Sequence, residues 1–90
     1  MMLTYFTIHA KVNCPFCVEA INLMNKHGLH HVLVLVDQSE DYYTLLKRKY
    51  EHDTVPIITQ NSRITGEDMQ FIGGCDDFKK FLKDQGYEEC

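Results

Sequence analysis

Leu3-Thr4-Tyr5-Phe6-Thr7-Ile8-His9-Ala10-Lys11-Val12-Asn13-Cys14-Pro15-Phe16-Cys17 decides the fold. Its first half alternates apolar and small polar residues with β-branched members, which predicts a strand ending near His9. Its second half opens a helix over about residues 15–27: Cys17, Ala20, Ile21 and Met24 keep helical spacing, Leu23 widens the stripe, and Gly28 suits the turn past the end. Proline at the first helical position loses no useful hydrogen bond, so Cys14 becomes the N-cap and the free N–H groups of the first turn point at its sulfur.

Outward from that stretch, Val32-Leu33-Val34-Leu35-Val36 is an unbroken apolar run, the pattern of a parallel strand covered on both faces, and it completes a βαβ unit. Ser39 with Glu40 and Asp41 caps a second helix over 39–51, with Tyr42, Leu45, Leu46 and Tyr50 as its apolar stripe and Lys47, Arg48 and Lys49 at its carboxyl end. Pro56-Ile57-Ile58-Thr59 and Met69-Gln70-Phe71-Ile72 read as a hairpin around a long polar loop, Gln60 to Asp68; a return strand at Arg63-Ile64-Thr65 is the alternative register. Asp76-Asp77 precedes a last helix carrying Phe78, Phe81 and Leu82 and stopped by Gly86. The order is βαβαββα without repeat or linker.

Ninety residues make one small domain, taken as 1–90, and 44% hydrophobic with 24% charged residues is an ordinary globular balance. A formal charge of −4 argues against a nucleic-acid partner. No apolar run approaches a membrane span, and Met1-Met2-Leu3-Thr4 lacks the features of a signal peptide, so a cytoplasmic chain without membrane attachment is expected. Four cysteines without an export signal point to redox or metal chemistry rather than a disulfide framework.

A strand followed by Cys-x-x-Cys at a helix start is the pattern of a thioredoxin-like redox pair. A helix start and a nearby cation favour thiolate over thiol. Lys11 supplies the cation, so Cys14 is favoured as thiolate, and Cys17, one turn in, is close enough to resolve a mixed disulfide. Half of a zinc site is the competing use, but Cys75 and Cys90 do not form a second such pair, so no metal is expected. Val55-Pro56 opens a strand with the one kind of peptide bond that is readily cis, and Gly73-Gly74-Cys75-Asp76-Asp77 brings two glycines into a helix start whose N–H groups suit an anion.

Taken together, Cys14-Pro15-Phe16-Cys17, Thr54-Val55-Pro56 and Gly73-Gly74-Cys75-Asp76-Asp77 resemble the glutaredoxin family in order and spacing across nearly the whole chain. The resemblance implies a thioredoxin fold of α/β class, a four-stranded mixed sheet flanked by three helices, and a dithiol enzyme that uses glutathione as co-substrate. Its substrates are then disulfide-containing or glutathionylated proteins. By the same resemblance Lys11 meets the glycine carboxylate of glutathione, and Phe16 keeps the aromatic body of the usual tyrosine without its hydroxyl. Thr54 and Val55 pair with the cysteinyl part beside a cis Pro56, and Gly74, Cys75 and Asp76 hold the γ-glutamyl end.

Three features depart from the family: the long Gln60–Asp68 stretch; Glu51-His52-Asp53, where many members have a basic residue for which Lys47, Arg48 or Lys49 substitutes; and Cys90, read as a tail thiol. A thioredoxin-like reductase fed by a flavoprotein is the alternative function, disfavoured because no Trp precedes the motif and no Gly-Pro lies inside it. An iron–sulfur carrier is the other, disfavoured by Pro15. A monomer is expected.

Overall fold

The computed structural model describes residues 3–87, so the readings of Met1-Met2 and Cys90 lie outside the described residues. Strand β1 (Thr4–Ala10) is followed by helix α1 (Pro15–Lys26), strand β2 (His31–Leu35), a 3-10 turn (Val36–Gln38) and helix α2 (Glu40–Tyr50). Strands β3 (Ile57–Ser62) and β4 (Asp68–Gly73) and helix α3 (Cys75–Asp84) complete the chain. The sheet order is β2-β1-β3-β4, with β1 parallel to β2 and antiparallel to β3, and β3 antiparallel to β4. This is the mixed four-stranded sheet with three helices that the sequence predicts.

The alternation along β1 sorts its side chains between two layers. Phe6, Ile8 and Ala10 join Ala20, Leu23 and Met24 of α1 and Phe78 and Leu82 of α3 in the main core. Phe6 meets Phe78 and Phe81 edge-on at 5.6 and 5.8 Å between ring centroids, which locks α3 to the central strand. On the other side Val36, Tyr43, Leu46 and Ile57 form a smaller cluster under α2.

Three expectations need correction. β2 is not covered on both faces: it is an edge strand, with Val32 44%, Leu33 47% and Leu35 36% exposed. An apolar run is equally consistent with an edge position because it says nothing about the neighbour. The buried stripe of α2 is Tyr43 and Leu46, not Tyr42 and Leu45, which are 41% and 63% exposed. The hairpin loop is shorter than expected: β3 runs to Ser62 and β4 starts at Asp68, leaving Arg63–Glu67 as the connection. The register shifts between Ile58 and Thr59 and between Gln60 and Asn61, where Ile72 and Met69 are the extra residues on β4, and the return strand contains Met69–Ile72 rather than Arg63–Thr65.

Candidate active site

Cys14 caps α1 in an extended conformation (φ −127°, ψ 102°), and Pro15 follows at the first helical position. The Cys17 N–H donates to Cys14 Sγ at 3.1 Å, a bond that the proline leaves open and that a thiolate would strengthen. The two cysteines are joined as a disulfide with their Cα atoms 5.2 Å apart. Cys14 is 9% exposed and Cys17 2%, so the outer sulfur is the one an incoming disulfide meets first.

The Val55–Pro56 bond is cis. The Val55 carbonyl oxygen stands 3.9 Å from Cys14 Sγ, which brings the start of β3 beside the redox pair although the two are far apart in sequence. Gly74 caps α3, and its N–H donates to Asp77 Oδ2 at 3.4 Å. The helix therefore begins at Cys75 and includes Asp76 and Asp77, which the sequence placed ahead of it. At Gly73, φ is +122° and a β-carbon would overlap the Asp77 carboxylate, so only glycine fits this turn.

These elements enclose a groove of about 250 Å³ lined by Phe16, Thr54, Val55, Pro56, Gly74, Cys75 and Asp76, joined by His52 and Asp77. Seven of the eight residues expected to contact glutathione thus share one surface next to Cys14. The eighth, Lys11, does not line it: its ammonium stands 4.6 Å from the centre of the Tyr43 ring, with Lys47 4.5 Å from the same ring. The Tyr43 hydroxyl donates to the Asp53 carbonyl at 3.2 Å and so ties α2 to the segment leading into Thr54. Lys49 is engaged elsewhere, paired with Asp68 at 3.2 Å on the opposite side of α2.

His52 escaped the sequence reading. Its Nε2 lies 3.4 Å from Thr54 Oγ1 and its ring edge meets Phe71 at 5.6 Å between centroids, yet it carries no motif of its own. The only available signal was its place two residues before Thr54. Cys75 is 5% exposed; burial first, then the Glu19 carboxylate, push its thiol pKa up, so it lacks the thiolate character of a nucleophile. Glu19 is ion-paired with Lys79, which ties α1 to α3.

A protein-family comparison matches residues 3–64 to the glutaredoxin profile. The chain belongs to the glutaredoxin family. No curated protein sequence matches it significantly. Among solved structures, a dithiolic glutaredoxin of Trypanosoma brucei brucei is 28% identical over 92% of this chain and 80% of its own, with a TM-score of 0.68. Wheat glutaredoxin is 26% identical over 90% and 70% of the two chains, with a TM-score of 0.70. A buckwheat glutaredoxin–glutathione complex superposes at a TM-score of 0.74 over 91% and 71% of the two chains; at 24% identity it bears on the fold alone. Family membership and the Cys14–Cys17 pair make this glutaredoxin a thiol-disulfide oxidoreductase. Among the described residues, no helix is long and apolar enough to cross a membrane.

Proposed function

We propose that the chain reduces glutathione mixed disulfides and protein disulfides at the expense of glutathione, in the cytoplasm. The observation that carries this reading is the groove: seven of the eight residues expected to hold glutathione line one surface, and that surface borders Cys14.

In the reduced enzyme the Cys14 thiolate attacks the glutathione sulfur of a mixed disulfide. A Cys14–glutathione disulfide forms and the substrate leaves as a thiolate that takes up a proton. A second glutathione thiolate then attacks the glutathione sulfur of that adduct, which restores Cys14 and releases oxidised glutathione. With a protein disulfide, the Cys14 thiolate attacks one sulfur, forming a Cys14–protein disulfide and releasing the other sulfur as a thiolate. Cys17 then gives up its proton and attacks Cys14 Sγ, breaking that bond, releasing the second protein thiolate and leaving the Cys14–Cys17 disulfide, which two glutathione molecules return to the dithiol with release of oxidised glutathione.

The binding roles follow the groove. Thr54 and Val55 offer backbone groups to the cysteinyl portion beside Pro56, and Phe16, 60% exposed, covers it from the α1 side. The first-turn N–H groups of α3, at Cys75 and Asp76, face the γ-glutamyl carboxylate with the favourable end of the helix dipole. Lys11 acts at longer range, from its position over Tyr43.

The test is turnover of a glutathione mixed disulfide with reduced glutathione and glutathione reductase, measured beside turnover with thioredoxin reductase. Activity only in the second assay refutes the reading. Visible absorption from a cluster in freshly purified protein would instead support the iron–sulfur alternative.

A further inference from the structure

The outer edge of β2 differs from the edges that soluble proteins usually present. Edge strands are commonly interrupted by charges, proline or bulges, because an unprotected row of N–H and C=O groups pairs with other strands. His31-Val32-Leu33-Val34-Leu35 has none of these devices: it pairs with β1 in unbroken register from Phe6↔His31 to Ala10↔Leu35 and carries no Lys, Arg, Asp or Glu. The Phe6 N–H donates to the His30 carbonyl at 3.0 Å, so by alternation 30, 32 and 34 face β1 while His31, Leu33 and Leu35 turn their backbone groups outward.

We propose that this edge pairs, antiparallel and about a two-fold axis at Leu33, with the β2 of a second copy of the chain. In that register Leu33 lies opposite Leu33, His31 opposite Leu35 and Val32 opposite Val34. Each outward residue exchanges both backbone hydrogen bonds, and apolar side chains meet across the strands. Charge selects the direction. At the amino end of β2, Arg63 contacts His30 through its guanidinium. At the carboxyl end stand Asp37, whose Oδ2 accepts the Val12 N–H at 3.2 Å, and the first-turn acids Glu40 and Asp41. Antiparallel pairing sets each acidic end beside the other copy's Arg63; parallel pairing would set like charges together. The two sheets become one, and because β2 lies at the sheet edge remote from β3 and β4, the groove stays open.

Pairs of five-residue edges bury less than the roughly 1,600 Å² of a standard interface, so the dimer is weak and reversible. Sedimentation velocity of the full chain under reducing conditions, from about 10 μM to about 1 mM, reads it directly. The expected result is a weight-average coefficient that rises with concentration. Leu33→Lys, at a half-exposed position where the fold tolerates it, opposes two cations at the axis and raises the dissociation constant at least about tenfold, with thiol exchange unchanged. Arg63→Glu weakens association more at low salt than at high salt.

The register is tested in a Cys14→Ser, Cys17→Ser background: Leu33→Cys should form an intermolecular disulfide on mild oxidation, and Leu35→Cys, which faces His31 rather than itself, should form far less. A single-chain sedimentation coefficient throughout overturns the proposal, as does undiminished association of Leu33→Lys. Equal cross-linking at 33 and 35 overturns the register and with it the two-fold pairing.

Discussion

His9 sits on β1 with 5% exposure, and its two ring nitrogens fix its protonation. A carbonyl can only accept, so Nδ1 carries the proton shared with the Ile57 oxygen at 3.1 Å, and Nε2 is bare and takes the Tyr42 hydroxyl at 3.2 Å. Burial lowers its pKa below the ordinary 6.5; Lys49 adds to the lowering, while the Ile57 carbonyl and Asp68 oppose it. Between that lowered value and 6.5 the unfolded chain binds a proton that the folded chain refuses. Stability from His9 is therefore complete above 6.5 and falls as pH drops through the window, by at most about 1.4 kcal/mol per pH unit.

The perturbation is His9→Asn, which keeps an amide donor for Ile57 but cannot take a proton. At pH well above the window it should cost about 1 kcal/mol, the low end for a lost hydrogen bond, because Tyr42 is 41% exposed and its hydroxyl finds water. Urea unfolding of both proteins at stepped pH cancels the other histidines in the difference. The stability gap should narrow as pH falls through the window and stay constant below it. A gap independent of pH would refute the neutral, doubly bonded His9.

Cys14→Ser should abolish exchange, while Cys17→Ser should keep activity on glutathione mixed disulfides and lose it on protein disulfides; equal loss in both variants of the glutathione-coupled assay would overturn the division of roles. Lys11→Glu should raise the glutathione KM without unfolding the protein, less so at high salt, and an unchanged KM would leave Lys11 as a partner of Tyr43 alone. Gly74→Ala should fold, since φ there is −91°, but its β-carbon would stand 3.5 Å from His52 Nε2 and 3.6 Å from the Pro56 oxygen and narrow the groove, so a severalfold rise in KM is expected. In the reduced protein, peptide mapping after iodoacetamide should show Cys75 reacting at least about tenfold more slowly than Cys14, because its raised pKa and burial leave little thiolate at neutral pH.

Local chemistry made much of the fold legible. The alternation of β1, proline at the start of α1, Ser39 before α2 and glycine after the last helix act within a few residues, and all mark element ends close to those observed. What failed depended on neighbours. The apolar run of β2 reads alike at the centre or the edge of a sheet, and two adjacent tyrosines at 42 and 43 leave the phase of α2 open by one residue, about 100° around its axis. The hairpin was misjudged because polar residues such as Gln60 and Asn61 look like loop until their partners Thr4, Thr7 and Asp68 are known. The redox pair was readable from spacing, whereas the groove depended on family resemblance: residues 16, 54–56 and 74–76 meet only through tertiary packing, and His52 had no pattern to announce it.

The gap under α2 has a consequence for how the molecule breathes. Only Tyr43 and Leu46 of this helix are buried, against four residues of α1 and three of α3, and beneath it lies a cleft of about 370 Å³ bordered by Thr7, His9 and Asn61, so of the three helices α2 is the one whose release exposes the fewest buried side chains. Its amide hydrogens should trade with deuterium faster than those of α1 or α3. Because the Tyr43 hydroxyl holds the Asp53 carbonyl, each such opening also slackens the strand of chain that carries Thr54. A ligand seated in the groove would then slow deuterium uptake in a helix that does not line it, and α2 becomes a remote reporter of occupancy.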